Sequence, residues 1–310
     1  MSKISTTAAM IDSYTNTAIK NYVKSHDEST YFPKEMWDEL TNEMDIFLPI
    51  LSEENHTLSS DFITFIRKIA NEFAALSAIL LTQGCYGIYS ILNFGTAEQK
   101  ELYLEKLLKG QYIGGLGFCE YKHLKGLEDL ETYATKTEQG WCLSGKKAMI
   151  SNSSVADILL VLAKVKEQGK VEKYGLFIVD PKDSDVLIGE QIEKPGLIGL
   201  PLSSVTLKNV LLPENALLGD ELAGDVQFAN IIKNMQLGLS AIALGVAEGA
   251  FNKGIEFAKV KRGFGKRLID VEIHQNKFAD LYNKLCSAEA YFASYPSQIE
   301  EDAKFVSRIK

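Results

Sequence analysis

Four cysteines, Cys85, Cys119, Cys142 and Cys286, are scattered along the 310 residues, and no two stand in a CxxC pair. That spacing argues against a zinc site or a redox dithiol and leaves buried free thiols in a reducing cytoplasm as the expectation. Positive charge is outnumbered, with 33 Lys and Arg against 41 Asp and Glu. At a formal net charge of −8 the chain has no basic surface for a nucleic-acid backbone, although a local basic patch for a phosphorylated ligand stays open. No GxGxxG follows a strand-like run, which removes a Rossmann reading. The N-terminal MSKISTTAAMIDSYTNT has no apolar h-region, so no secretory signal is expected and the location is expected to be cytoplasmic. One segment, 73–94, carries no charge and is long enough to span a bilayer. Ser77, Thr82, Gln83, Gly84, Gly87, Ser90 and Asn93 dilute it, so it reads as a buried helix broken near Gly84, with no membrane partner.

What is present falls into three stretches, predicted as domains over 1–110, 111–222 and 223–310. The first is helical. Pro33 suits a first-turn position of the helix opened by Phe32-Pro33-Lys34-Glu35, and Phe62, Phe65, Ile66 and Ile69 share one face of the next. Thr96 and Gln99 form a capping-box pattern, and Gly110 supplies a left-handed cap at the end of the same helix. In the middle stretch the period changes to short apolar runs, such as 158–162 and 174–179, bounded by charged or Gly/Pro turns. Strands without intervening helices imply an antiparallel, barrel-like domain. Helix returns near Asp225 and continues to about Lys261. Phe228, Ile231, Ile232, Met235, Leu239 and Ile242 give it an apolar stripe; Gly238, Ala241, Gly245 and Gly249 give it a second, small-residue stripe suited to a closely packed neighbouring helix. Further helices are predicted over 271–291 and from Ser297. The fold class is therefore α+β multidomain: helical domain, β-barrel-like domain, helical bundle.

The most informative stretch runs from Phe94 to Lys164. FGTAEQKELYLEKLLKGQYIGGLGFCE closes a capped helix on a glycine and enters a Gly-rich strand; GWCLSGKKAMISNSSVADILLVLAK places two strands around a Ser151-Asn152-Ser153-Ser154 turn. With Phe32-Pro33, Val210-Leu211-Leu212-Pro213-Glu214 and Phe264-Gly265 in order, this arrangement resembles the acyl-CoA dehydrogenase family over about residues 30–310. The resemblance implies a flavoprotein oxidoreductase of fatty acid metabolism with FAD as cofactor, an acyl-CoA or related thioester as substrate, and a homo-oligomer built through the C-terminal helices.

It also implies site residues. Cys119-Glu120-Tyr121, just after Phe118, and Met149-Ile150-Ser151-Asn152 stand where the family's Thr-Glu-Pro and Trp-Ile-Thr-Asn line the isoalloxazine. Ser151 keeps the hydroxyl that bonds the flavin near N5, Met149 replaces the ring with a soft apolar side chain, and Cys119 is a weaker hydrogen-bond partner than Thr. Lys125 falls in the loop that approaches phosphates and coenzyme A, and Gln236 stands where the family has Arg. The turn Lys261-Arg262-Gly263-Phe264-Gly265-Lys266-Arg267 matches the family's Arg-x-x-Phe-Gly, which reaches the FAD pyrophosphate of a neighbouring subunit. Here Lys261 offers a point charge in place of a bidentate fork. Glu272 replaces the family's Gln, and Gln275, one turn on, is the substitute.

Acyl-CoA dehydrogenation removes a proton at the thioester α-carbon while a hydride passes to the flavin, and needs a carboxylate as base. In most of the family that Glu stands beyond the point where this chain ends; in other members it stands at the position of Met235. No catalytic base is therefore assigned, and the chain resembles a divergent, C-terminally truncated member. Three readings follow: an FAD-dependent acyl-CoA dehydrogenase-like enzyme, with weak cofactor binding and impaired or lost activity; a non-catalytic binding or assembly protein of the same fold; and a flavin-dependent monooxygenase or oxidase.

Overall fold

A computed structural model of the chain describes residues 3–26, 31–52, 57–122, 126–165, 173–261 and 265–294. The elements in chain order are helices α1 (Lys3–Tyr14), α2 (Lys20–His26), α3 (Lys34–Asp38), α4 (Ser60–Glu72), α5 (Ala74–Thr82), α6 (Ser90–Phe94) and α7 (Ala97–Leu108). Strands β1 (Gly114–Gly117), β2 (Tyr133–Thr137), β3 (Gly140–Ser151), β4 (Ile158–Val165), β5 (Lys173–Val179), β6 (Val186–Gln191) and β7 (Leu202–Pro213) follow. The long α8 (Gly224–Lys259) and α9 (Glu272–Ala293) complete the set. The order is that expected from the sequence: helices, a sheet domain, then helices. The helix predicted from Ser297 lies outside the described residues.

Local chemistry accounts for the helix boundaries. Ser59 caps α4 by accepting from the Phe62 amide at 3.1 Å. Thr96 and Gln99 form the reciprocal capping box at the start of α7, and Gly110, at φ 65°, takes the left-handed residue after it. Pro33 sits one position earlier than predicted, at the N-cap of α3. The apolar segment 74–94 is one continuous, almost wholly buried helical run. It is not broken at Gly84; a π-helical segment, Gln83–Tyr89, joins α5 to α6. Such a turn widens the helix and frees polar groups. Gln83 uses the opening: its Nε2 donates to the carbonyls of Leu107 and Tyr112, both at 2.9 Å, and its Oε1 accepts from Gly114 N at 2.8 Å. This buried amide welds the helical layer to the start of β1.

The strands form one seven-stranded sheet in the order β1-β4-β2-β3-β7-β6, with β5 paired to β4. β4 runs parallel to β1 and β2, while the other pairings are antiparallel. Its sequence, Ile158-Leu159-Leu160-Val161-Leu162-Ala163, is apolar throughout because both its faces are covered. Ile158, Leu160 and Leu162 join the core shared with the helices, whereas Leu159, Val161 and Ala163 join the core inside the curved sheet with Trp141 and Phe177. Of the cysteines only Cys85 is buried; Cys119, Cys142 and Cys286 are half-exposed free thiols, a departure from the expectation of four buried ones.

The small-residue stripe of α8 works as predicted. A Cβ on Gly245 or Gly249 would overlap the carbonyl oxygens of Arg67 and Asn71 in α4, and one on Gly238 would overlap Leu81 of α5. Helix backbones meet directly there. Gly254, further along the helix, faces nothing nearer than 3.5 Å, on the Phe278 ring. Substituting Ala raises helix propensity at both positions by about 1 kcal/mol, but at Gly245 overpacking against backbone costs about 1–3 kcal/mol. Urea unfolding is thus expected to show Gly245→Ala less stable than wild type and Gly254→Ala equal or more stable. Equal gains at both positions would refute the direct backbone contact.

Candidate functional site

Gly117 ends β1 at a point where an added Cβ would lie 3.0 Å from Ile150 Cδ1 and 3.1 Å from Lys147 Cγ, so β3 packs tightly against this glycine. Beyond it the chain leaves the sheet as Phe118-Cys119-Glu120. β3 changes register between Lys147 and Ile150, and Met149 takes φ 51°, a left-handed conformation unusual for a residue with a long side chain. The irregularity turns Met149 outward, leaving it 56% exposed, while Lys147 stays wholly buried.

Between these strand ends and α8 lies a cavity of about 920 Å³. Phe118, Leu127, Leu130, Met149, Phe228 and Ile232 make it apolar, and Lys122, Asp225, Lys233 and Gln236 supply its polar groups. Phe118 meets Phe228 with ring centroids 5.1 Å apart, tying the sheet edge to α8. Further along α8, Asn234 accepts from the Leu58 amide at 2.7 Å.

Beneath the cavity is a buried ion pair that the sequence pattern did not single out. Lys147 Nζ lies 2.7 Å from Glu120 Oε1, with neither side chain more than 3% exposed. The carboxylate also accepts from Thr132 N at 3.0 Å and Glu131 N at 2.7 Å. Burial alone would raise the Glu120 carboxyl, but the ammonium and the amide donors outweigh it and hold the group below the usual carboxylate range. Burial pushes Lys147 down to about 8, partly opposed by Glu120. Burial also raises the Cys119 thiol, against the pull of Lys147, so this cysteine is a poor nucleophile. Strand alternation in Lys146-Lys147 was the available signal that one lysine faces inward.

Of the residues predicted for the site, Phe118, Cys119, Met149 and Gln236 line this one cavity. Ser151 does not. It is half-buried at the last position of β3, paired with Leu202, away from the cavity lining. Lys125 and Phe264 lie outside the described residues. Lys261 and Gln275 are exposed at the far end of α8 and the start of α9. The stretch of α8 from Gln236 to Lys259 spans about 35 Å of helix, so these two do not join the cavity of their own chain. Lys261 forms an isolated bridge with Arg267, whose guanidinium is held by Asp270 at 2.6 Å. Met235 is buried, and Glu248 is occupied by Arg67 at 2.5 Å.

Three domain models of the acyl-CoA dehydrogenase family match the chain in order: the N-terminal domain over residues 4–111, the middle domain over 115–210 and the C-terminal domain over 226–308. The long-chain specific acyl-CoA dehydrogenase, mitochondrial, of Mus musculus is 27% identical over 206 residues, covering 66% of this chain and 48% of that protein. An acyl-CoA dehydrogenase of Bacillus subtilis (strain 168) is 31% identical over 222 residues, 71% of this chain and 58% of the relative. The chain thus spans about half the length of these curated relatives. Among solved structures, butyryl-CoA dehydrogenase from Megasphaera elsdenii superimposes with a TM-score of 0.86 at 24% identity, covering 100% of this chain and 82% of that one, which shows a shared fold.

The Glu120 carboxyl carries a pH signature. Its folded pKa lies below the unfolded value of 4.5, so its stabilising effect is complete above that value and is lost as pH falls through the folded one. Removing one partner of a buried pair costs about 3–5 kcal/mol. Glu120→Gln is expected to be less stable than wild type by that order at pH 7, with the gap in urea unfolding narrowing below pH 4.5. A gap unchanged down to about pH 3, well into the carboxylate range, would contradict the assignment.

Proposed function

Because the chain belongs to the acyl-CoA dehydrogenase family, whose members are flavin-dependent, we propose that its cavity takes the isoalloxazine of FAD with an acyl-CoA thioester beside it, for α,β-dehydrogenation. The observation that carries this reading is the convergence of Phe118, Cys119, Met149 and Gln236, from three separate elements, on one apolar cavity of about 920 Å³. That volume suits a flat tricyclic ring with part of a thioester. Met149 fits a ring as well. Its backbone is in a sparsely populated conformation of the kind found at ligand clamps, and its exposed thioether gains contact when an aromatic surface covers it.

When bound, FAD supplies a hydride acceptor. The chain's own residues do the rest of the work at this site. Phe118, Leu127 and Ile232 exclude water, Gln236 offers an amide donor and acceptor to a polar part of the ligand, and Lys122 and Lys233 give the rim positive charge for phosphate. The same reading sets a second copy against α8 and α9, where Phe257, Ile273, Leu281 and Tyr282 are each more than half exposed. Lys261, about 35 Å from the cavity along α8, and Gln275, in the first turn of α9, then serve the cofactor of that neighbouring copy.

One observation favours a second reading, a binding or assembly protein of the same fold. Among the described residues lining the cavity the carboxylates are Glu120 and Asp225. Glu120 is fully engaged and held acidic, the opposite of what a base at a thioester α-carbon needs. Asp225 is exposed in the first turn of α8. A flavin monooxygenase or oxidase would not need such a base and is the third alternative.

The readings separate in two measurements. After incubation with excess FAD and desalting, the chain is expected to retain flavin absorbance; a colourless protein would sink both flavin readings. Anaerobic addition of an acyl-CoA panel then bleaches that absorbance if the dehydrogenase reading holds, and leaves it unchanged if the fold serves binding alone.

A further inference from the structure

We propose that Glu120 and Lys147 are positioning residues of the cavity: the buried pair fixes the wall formed by Tyr121, Lys122, Gly126, Leu127 and Leu130, and so sets the fit of the ligand. The identity of that ligand as FAD rests on the reading above; the positioning role does not.

The path of the chain shows how. It leaves β1 at Gly117 and rejoins the sheet in β2 at Tyr133, and between them Tyr121, Lys122, Gly126, Leu127 and Leu130 form one wall of the cavity. A single carboxylate closes the base of this excursion. Glu120 Oε2 accepts from Glu131 N at 2.7 Å and Oε1 from Thr132 N at 3.0 Å, which ties residue 120 to residues 131 and 132. β3 then grips the outgoing limb at three successive residues. Lys147 Nζ bonds Glu120 Oε1 at 2.7 Å and reaches the Phe118 carbonyl at 3.5 Å, and Ala148 N donates to the Cys119 carbonyl at 2.8 Å. The exposed pair Lys122–Glu131, at 3.6 Å, adds little to this tie.

The charge on Glu120 follows from the donors around it. Three of them, one ammonium and two amides, converge on this side chain, and only a carboxylate offers two acceptor oxygens to meet them. A glutamine would turn its NH₂ toward N–H donors. Lys147 in turn keeps the buried carboxylate from standing uncompensated. Lys147 itself is wholly enclosed and contributes nothing to the cavity surface. Its action on a ligand is therefore through the wall.

The test uses the full chain as wild type, Glu120→Gln, Lys147→Met and the double variant, each measured by urea unfolding, by local hydrogen exchange and by FAD titration. The single variants leave an unmatched donor set or an unpaired charge, and are expected to lose stability. The double variant removes the unpaired charge, and is expected to recover most of the urea midpoint. Positioning predicts that the double variant still exchanges at least about tenfold faster than wild type across the described residues of 121–132, with α4 and β7 unchanged, and binds FAD at least about tenfold more weakly. If loop exchange and FAD affinity return together with the urea midpoint, the pair is merely structural and the proposal falls. It falls equally if loop exchange rises while FAD affinity stays within about twofold of wild type. Should the single variants not fold, the double variant alone decides. Should wild type bind no FAD, the flavin reading fails, while the exchange measurement still decides whether the tie holds the wall.

Discussion

The carboxylate of Glu120, buried against Lys147 and two backbone amides, is the interaction on which the architecture around the cavity depends. Two charges in a dry place are tolerated only when every lone pair and proton is used, and here the acceptors meet an ammonium and two amides. The result is a fixed junction between β1, β2 and β3 where three chain segments would otherwise splay. Glycine at position 117 is part of the same arrangement, because Lys147 and Ile150 of β3 pack tightly against it.

The opposite wall is set by a different kind of contact. α8 has no freedom to shift, because Gly245 and Gly249 lie directly on carbonyls of α4 and Gly238 lies on Leu81. Asn234 bonds the chain just before α4, and Phe118 against Phe228 closes the gap to the sheet. Gln83 and Gln99 then join helices to sheet through buried amides, Gln99 donating to the carbonyls of Asn215 and Leu217 and accepting from Gly219 N. The cavity is thus an apolar space held open between two rigid supports.

Much of this was legible from residue order. The capping box at Thr96, the left-handed Gly110, the alternating strands and the two stripes of α8 are local patterns, and local patterns need no tertiary knowledge. Phe118, Cys119, Met149 and Gln236, named from the resemblance, line one cavity. Ser151, also named from the resemblance, stands at the last position of β3, two residues past the irregular Met149, and is not among the cavity-lining residues. The role of Lys147 was only half legible: strand alternation says that one of two adjacent lysines faces inward, but not which one. Gln83 was counted among residues that dilute an apolar segment, when its amide meets partners 24 to 31 residues away. The half-exposure of Cys119, Cys142 and Cys286 likewise follows from strand and helix facing that composition does not carry.

A crystal structure of the chain equilibrated with FAD is the decisive test of the proposed flavin site between the ends of β1 and β3 and the face of α8. The account predicts ring density lying on Met149 and Phe118, with the Gln236 amide at its edge and Glu120 still bonded to Lys147 behind it. Ring density elsewhere on the molecule, with this cavity filled only by water, would contradict it.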